Sequence, residues 1–286
     1  MEEYRFAEDI ESVQELLNLS TTELAAAIGV SRASLHNWLS GRTSAGEAAA
    51  KAFYDFAFHK GVRLNMIKEQ LYREELSERK CKLLFHGAKY GIEGEISPAK
   101  SRMNNDFGQG FYCGETLEQS AMFVSAFENA SLYMLAFRSD NLQSKIFHVD
   151  RDWMLTIAYY RGKLREFENS PMISRLIRQV EKADYLIAPI ADNRMFEIID
   201  SFIEGEITDV QCKHCLSATN LGNQYVFLSD KSVEQLEVLE KCFLSREEKA
   251  YYLSSRKNSV EMNMDKVKLA RKQYRGQGKY IEEILE

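Results

Sequence analysis

One glycine-rich segment organises this chain, and it reads Asn105-Asp106-Phe107-Gly108-Gln109-Gly110-Phe111-Tyr112-Cys113. Its two glycines lack a Cβ, so the backbone there can turn sharply or approach a ligand closely. The residues after Gly110 predict a short β-strand in which Phe111 and Tyr112 point to opposite faces. We expect one ring to face the core and the other a cleft, where it would offer a platform to a flat ring such as nicotinamide or a base. A hydrophobic strand after a glycine turn, without a ligand, is the alternative.

The composition is that of an ordinary globular protein. The 286 residues are 45% apolar and 28% charged, enough to bury a core in one large domain or two. The net charge of −6 excludes a global attraction to nucleic acid, so such a contact needs a local patch. The acidic N-terminus lacks the apolar core of a signal peptide, and no apolar run reaches the roughly 18 residues of a membrane helix. We therefore expect a cytoplasmic protein with no membrane partner, whose five scattered cysteines are reduced thiols.

The segment Cys212-Lys213-His214-Cys215 suggests a metal at first sight. A structural zinc site needs four ligands, and no second pair of cysteines or histidines stands at the usual spacing. The sequence therefore predicts a helix with half-buried thiols there, and no metal cofactor.

Residues 1–45 predict three short helices with clear starts and stops. Apolar residues recur at helical spacing from residue 9 to residue 17. Ser20 is a good N-cap for a second helix, and Glu23 completes a capping box three residues later. Gly29 ends that helix, Ser31 caps a third one, and Gly41 ends it. Residues 44–58 and 62–77 predict two further helices with bulky apolar stripes.

Two short helices joined by a glycine-containing turn are the pattern of a helix-turn-helix. The run concerned is Thr22-Glu23-Leu24-Ala25-Ala26-Ala27-Ile28-Gly29-Val30-Ser31-Arg32-Ala33-Ser34-Leu35-His36-Asn37-Trp38-Leu39-Ser40-Gly41. It closely resembles the Cro and phage-repressor (XRE) type, in which the second helix enters the major groove of DNA. The resemblance implies an operator DNA partner, a homodimer, and the DNA-binding residues Arg32, Ser34, His36, Asn37 and Arg42.

The charge balance of this module leaves its partner open. Residues 1–45 hold three basic and seven acidic side chains, and four excess negative charges weaken the attraction to phosphate. A helix-turn-helix used for protein contact or dimerisation is therefore the alternative to DNA binding.

After a charged segment near residue 79 the sequence changes from helical to strand patterns. We predict strands over residues 82–87, 110–113, 131–137, 144–149, 183–190 and 224–228, and helices over residues 116–127, 153–161, 193–203, 209–216 and 232–243. Residues 266–279 hold six basic side chains and no acidic one, which predicts a helix on a partner, a nucleic-acid contact or a solvated end. The predicted domains are a helical domain over residues 1–79, an α and β domain over residues 80–245 and a charged C-terminal tail over residues 246–286.

Four motifs of the second domain occur in a characteristic order. They are Leu84-Phe85-His86-Gly87, the segment from Asp106 to Tyr112, the segment from Asp184 to Asn193 and Gln224-Tyr225-Val226-Phe227. Over residues 82–243 this order resembles the ADP-ribosyltransferase superfamily, in the branch with a histidine, a tyrosine and a variable third residue on three core strands. It is most similar to bacterial toxin-like domains of that branch. The fold class expected for the chain is therefore α+β: an N-terminal all-α helix-turn-helix bundle followed by a split β-sheet domain with helices.

The resemblance implies that NAD is the substrate and assigns roles to particular residues. It makes His86, Tyr112 and Gln224 the catalytic set: His86 bonds the adenine-side ribose, Tyr112 stacks on nicotinamide, and Gln224 contacts the nicotinamide ribose. The backbone of Gly87 would hold the carboxamide. Guanidinium groups match phosphates, which suggests Arg102 for the NAD phosphates. The full set of implied NAD-binding residues is His86, Gly87, Arg102, Asp106, Phe107, Gly110, Phe111 and Tyr112. An Asx-turn at Asp106 is the simplest role for that side chain.

The third position departs from the best-known pattern, because Gln224 stands where many members carry glutamate. Losing one such electrostatic group can cost on the order of 10²–10³ in rate. Three interpretations therefore stay open. The first is a toxin or phage-defence effector that transfers ADP-ribose to a protein or nucleic acid, with an antitoxin protein as a further partner. The others are a regulator that senses NAD without turnover and an NAD glycohydrolase with water as acceptor.

Overall fold

The computed structural model of this protein describes residues 4–219 and 222–285. The helices are α1 (Phe6–Leu17), α2 (Thr21–Ala27), α3 (Arg32–Leu39), α4 (Glu47–His59), α5 (Leu64–Glu78), α6 (Leu117–Val124), α7 (Arg151–Tyr160), α8 (Pro171–Glu181), α9 (Asn193–Ile203), α10 (Asp209–Ser217), α11 (Asp230–Val233), α12 (Arg246–Gln273) and α13 (Glu282–Leu285). The strands are β1 (Lys82–Ala88), β2 (Phe111–Gly114), β3 (Ser131–Phe137), β4 (Ser144–Ile146), β5 (Tyr185–Pro189), β6 (Asn223–Phe227) and β7 (Leu236–Cys242).

The described residues form a mixed α and β protein in which helices precede seven strands of mixed orientation. They divide into two compact units that do not follow the order of the chain. Unit 1 contains residues up to Ile92, Leu117–Phe137 and Glu237–Ser255, and unit 2 contains Glu93–Thr116, Arg138–Leu236 and the residues from Arg256 onward. The three predicted domains, 1–79, 80–245 and 246–286, stay a prediction.

Helices α2 and α3 begin directly after the N-cap residues that the sequence predicts, whereas α1 begins at Phe6, three residues before the predicted helical pattern. Ser20 Oγ accepts a hydrogen bond from Glu23 N at 3.2 Å, and Glu23 Oε2 accepts one from Ser20 N at 2.8 Å, which confirms the capping box. Ser31 Oγ likewise accepts from Ser34 N at 3.0 Å. Gly29 and Gly41 lie at φ +72° and +67°, a region that favours glycine over any residue with a Cβ.

The N-terminal helices share one core with the residues that follow β7. Ile10, Leu24, Leu35 and Phe53 are fully buried in it. The ring of Tyr54 stacks on that of Phe243 with centroids 4.4 Å apart. Helix α5 adds polar contacts to the same region, because Asn65 Nδ2 donates to Phe243 O at 2.9 Å and to both Glu248 oxygens at 3.1 Å. Residues that are far apart in the chain therefore pack together in unit 1.

A buried ion cluster lies beside this core. Lys68 Nζ is 2.5 Å from Asp9 Oδ1 and also contacts Glu240 Oε1, and the side chains of Asp9 and Glu240 are each only 2% exposed. Tyr54 donates to the second oxygen of Asp9 at 2.6 Å. Buried charges need such paired partners, so α1, α4, α5 and β7 are tied together by one polar network.

The strands of unit 1 follow the order β1-β3-β7, and β1 pairs antiparallel with β3. The prediction of a helix over residues 232–243 is wrong, because this segment contains the end of the short helix α11 and then strand β7. Apolar residues at 236, 239 and 242 fit the spacing of a helix in sequence. In the structure, sheet pairing and the contact of Glu240 with Lys68 determine its conformation.

The strands of unit 2 follow the order β4-β5-β6-β2. Strand β4 is parallel to β5, whereas β6 is antiparallel to both of its neighbours. Helices α7, α8, α9 and α10 enclose a core that contains Trp153, Leu155, Ile173 and Phe202. The sequence predicted α7, α9 and α10, while α8 had not been predicted.

The basic run over residues 266–279 is not a freely solvated end. Tyr274 stacks on His214 of α10 with ring centroids 3.6 Å apart. Asp209 N donates to Lys279 O at 2.9 Å, and Lys279 N donates to Asp209 Oδ1 at 2.8 Å. Ile281 is buried in the core of unit 2. The segment after α12 is therefore docked onto α10 of its own unit.

Among the described helices, none has the length and apolar character needed to span a lipid bilayer.

Candidate functional site

Strands β2 and β6 bring Tyr112 and Gln224 to one face of unit 2. In their antiparallel register Tyr112 lies opposite Val226, and Gly114 lies opposite Gln224. Directly opposed residues of an antiparallel pair point to the same face, and so do residues two apart on one strand. The side chains of Tyr112 and Gln224 therefore share a face.

The ring of Tyr112 is fixed by the loop that precedes its strand. Its hydroxyl group donates to Gly108 O at 2.8 Å and accepts from Phe107 N at 3.1 Å. Burial raises the pKa of Tyr112 well above its ordinary value, so the side chain stays a neutral phenol. The ring of Tyr112 is thus held in one position by the loop, and it packs against the apolar core of unit 2.

Asp106 is the centre of a buried polar cluster in the same loop. Its Oδ1 accepts from Arg161 Nε at 2.9 Å and from Arg161 Nη2 at 2.6 Å. Its Oδ2 accepts from Gln224 Nε2 at 2.8 Å and from Ala191 N at 3.3 Å. These long-range bonds replace the Asx-turn that the sequence suggested for this side chain. Asp106 thus links the glycine loop to α7, to β6 and to the turn before α9.

Arg161, the C-cap residue of α7, makes further contacts besides its ion pair with Asp106. Its Nη2 also donates to Ala191 O at 2.5 Å, and its guanidinium group lies 4.4 Å from the centroid of the Phe196 ring. A planar guanidinium group suits this combination of ion pair, carbonyl and ring contact. The sequence ended a predicted helix at this residue but assigned it no role.

Gln224 is 7% exposed, and the direction of its amide is set by its partners. Nε2 donates to Asp106 Oδ2 at 2.8 Å and to Pro189 O at 3.2 Å. Both of these partners are acceptors, so the amide nitrogen must face them and the oxygen must face away.

The two glycines of the motif are required by packing. Gly108 has φ +77°, and a Cβ there would lie 3.0 Å from the ring of Tyr160. A Cβ on Gly110 would lie 2.8 Å from Val226 Cγ1 and 3.1 Å from Phe227 O. Glycine is thus the residue that lets the loop lie against α7 and β6.

The remaining predicted NAD-binding residues of unit 2 differ in exposure. Phe107 is 1% exposed and packs on Phe147 with ring centroids 5.3 Å apart. Phe111 is 8% exposed, whereas Arg102 is exposed. Phe107 and Phe111 therefore support the loop from the core, and Arg102 presents its charge to solvent.

His86 and Gly87 lie in unit 1, on β1. His86 is half-buried and lies opposite Tyr133 of β3, with ring centroids 6.4 Å apart. A Cβ on Gly87 would lie 2.5 Å from Val124 Cγ1, so glycine allows helix α6 to pack on this strand. Their predicted contacts with NAD stay predictions.

The predicted DNA-contacting residues lie in α3 and just after it. Arg32, His36 and Arg42 are exposed. Ser34 and Asn37 are half-buried, and Ser34 shares a 2.9 Å hydrogen bond with Ser31. Arg32, His36 and Arg42 are thus the members of the set with the most accessible side chains.

The segment over residues 212–215 is a helix with buried thiols, and burial raises the pKa of Cys212 and Cys215. The cysteines are free, and across residues 4–219 and 222–285 no group of three or more His, Cys, Asp or Glu side chains could hold a metal ion.

Comparison with known proteins gives one family. A family model described as "Protein of unknown function (DUF3990)" matches residues 83–238, which contain the whole Asp106 cluster. No curated protein and no solved structure gives a significant match. Because the match covers more than half of the 286 residues, the chain belongs to the DUF3990 family of proteins of unknown function.

Proposed function

We propose that this protein is an NAD-dependent ADP-ribosyltransferase that modifies a macromolecule, as a toxin or phage-defence effector. The observation that carries the proposal is the shared face of Tyr112 and Gln224, both fixed by the loop of residues 106–110. The motif order of the sequence adds His86 to the same set.

The chemistry needs few protein groups. The bond between nicotinamide and C1′ of the ribose breaks, nicotinamide leaves with the electron pair, and an acceptor nucleophile bonds to C1′. Positive charge develops on the sugar, as in glycoside hydrolysis. The protein has to hold NAD in a reactive conformation and to stabilise this charge.

Each residue has a role that fits its surroundings. The immobilised ring of Tyr112 would stack on nicotinamide, since its hydroxyl group is already bonded to the loop. Gln224 Oε1 would accept a hydrogen bond from a hydroxyl group of the nicotinamide ribose. His86 would bond the adenine-side ribose, and Arg102 has the charge and exposure for phosphate contact.

The test is incubation of the full chain with NAD labelled in the adenylate part, in the presence of cell lysate. We expect label on a protein or nucleic acid, and a loss of at least about 10²-fold for Gln224→Ala and for His86→Ala. Asn223→Ala is the matched control. This neighbouring amide hydrogen-bonds Glu115, and as the adjacent residue of β6 it points to the opposite face from Gln224. Free ADP-ribose without labelled macromolecule would make the protein a glycohydrolase, and binding without nicotinamide release would make it a sensor; either result contradicts transfer.

We further propose that α2 and α3 form a helix-turn-helix that binds operator DNA and so couples the effector to its own regulation. The support is the exposed set Arg32, His36 and Arg42 on and after a well-capped α3. Fluorescence anisotropy with DNA from upstream of the coding region tests this. Arg32→Ala and Arg42→Ala should each weaken binding and reduce its salt dependence, by about one counterion for a phosphate contact. Arg165→Ala, an exposed arginine of unit 2, is the control. Equal affinity of all variants would point to a protein contact instead.

A further inference from the structure

The third position of the site carries an amide whose environment explains why it is not a carboxylate. Gln224 Nε2 lies 2.8 Å from Asp106 Oδ2 inside the protein. A glutamate there would place a second carboxylate against the first one, and two such charges repel strongly at a buried site. An amide at this position is therefore matched to the carboxylate of Asp106, which accepts its hydrogen bond.

The charge of Asp106 is itself held in place. Both hydrogen bonds from Arg161 reach Oδ1, which leaves Oδ2 for Gln224 and Ala191. Donation of an N–H group to a carboxylate polarises an amide, and this makes the oxygen at the other end a better acceptor. Among the described residues, the structure shows no hydrogen-bond partner for Gln224 Oε1.

We propose that Asp106 is a positioning residue and that Arg161 holds it in place. The pair orients and polarises the Gln224 amide, so that Oε1 is presented to a hydroxyl group of the ligand. This inference rests on the proposed function for the identity of that ligand, a ribose of NAD. The negative charge of Asp106 thus lies behind the Gln224 amide, on the side of its nitrogen.

The test removes the pair without leaving a buried charge. Asp106→Asn alone leaves Arg161 without its counter-charge and is expected to unfold more easily. The double variant Asp106→Leu with Arg161→Met replaces the ion pair by apolar groups, which often restores stability. We expect its Tm to be within about 5 °C of the wild type. Its kcat should still be about 10- to 100-fold lower, with KM changed less than about threefold. A double variant with wild-type kcat would overturn the proposal.

A second readout needs no activity. In protein labelled with ¹⁵N-glutamine, the side-chain NH₂ signals of Gln224, assigned by their loss in Gln224→Met, should show one proton shifted by its carboxylate partner. That shift should vanish in the double variant. Unchanged signals would overturn the positioning role whatever the enzyme does. If the wild type never consumes NAD, the proposed function fails, while this measurement still decides whether Asp106 orients the amide.

Discussion

The carboxyl group of Glu248 is buried in unit 1, in an environment that makes stability depend on pH. Burial raises its pKa to about 7, although hydrogen bonds from Asn65 and charges on Arg63 and Lys68 oppose the shift. The native state thus binds a proton between pH of about 4.5 and about 7 that the unfolded chain has already lost. The free energy of unfolding therefore falls as pH rises through this window and stays lower above it.

Glu248→Gln should remove this loss of stability at higher pH, because glutamine carries no ionisable group. At pH 8 we expect the variant to be about 2–3 kcal/mol more stable than the wild type, and at pH 4.5 nearly equal to it. The amide oxygen can still accept the hydrogen bond from Asn65. Urea unfolding at the two pH values measures this difference, and a gain independent of pH would contradict the assignment.

Gln224→Glu should destabilise the protein, and the size of the loss should depend on pH. The new carboxyl group would face Asp106, so its pKa in the folded state would lie above its unfolded value. We expect a loss of about 2 kcal/mol at pH 8 that shrinks as the group takes up a proton toward pH 5. Gln224→Met, which loses the same hydrogen bonds without adding charge, is the reference; equal losses at both pH values for the two variants would refute the repulsion.

The sequence names those residues of the candidate site that belong to a motif, but it gives no sign of the residues that support them. Tyr112 and Gln224 stand in strands that the sequence predicts, but their shared face depends on the pairing of β2 with β6, which the sequence does not show. Arg161 is separated from Asp106 by 55 residues, and no local signal in the sequence relates the two. Only tertiary structure shows that the aspartate of the glycine motif is an ion-pair partner.

Elements were predictable where local chemistry marks their ends. Ser20, Ser31 and Asp192 cap α2, α3 and α9, and the predicted starts of these helices are confirmed. Strand β3 was found with its predicted bounds because all seven residues are buried and apolar runs of that length favour strands. Strand β7 was missed because its partners, β3 and Lys68, lie far away in the sequence.

Two glycines of the docked C-terminal segment have similar backbone conformations but different surroundings, which allows a controlled comparison. Gly278 has φ +91°, and a Cβ there would lie 2.4 Å from Asp209 Oδ1 and 2.6 Å from Val210 Cγ2. Gly276 has φ +72°, with nothing within 4 Å of its Cβ position. Both substitutions by alanine incur the left-handed backbone cost of about 1 kcal/mol.

Gly278→Ala should therefore lose about 1–3 kcal/mol more than Gly276→Ala, because it also displaces the segment from α10. Hydrogen exchange of the amide of Asp209, which bonds Lys279 O, reports undocking directly. Equal exchange rates in the two variants would show that the contact contributes nothing.

At the level of the whole molecule, the helical region is not an independent piece. Lys68 contacts Glu240, Asn65 contacts Glu248, and Tyr54 stacks on Phe243. A fragment that ends at residue 79 keeps Lys68 and Asp9 but loses these partners. We expect its ¹H–¹⁵N spectrum to have the narrow dispersion of an unfolded chain, whereas the full chain gives a dispersed spectrum. A well-dispersed spectrum of the fragment would contradict this dependence.

The contact between Lys68 and Glu240 spans 172 residues of chain. Ribosomes add roughly 5–20 residues per second, so the lysine is made about 10 to 30 s before its acidic partner. During that interval the N-terminal helices, which carry the proposed DNA-reading surface, lack their contact with Glu240 of β7. A newly made molecule thus completes the packing of its N-terminal helices only after most of the proposed toxic portion has itself been translated.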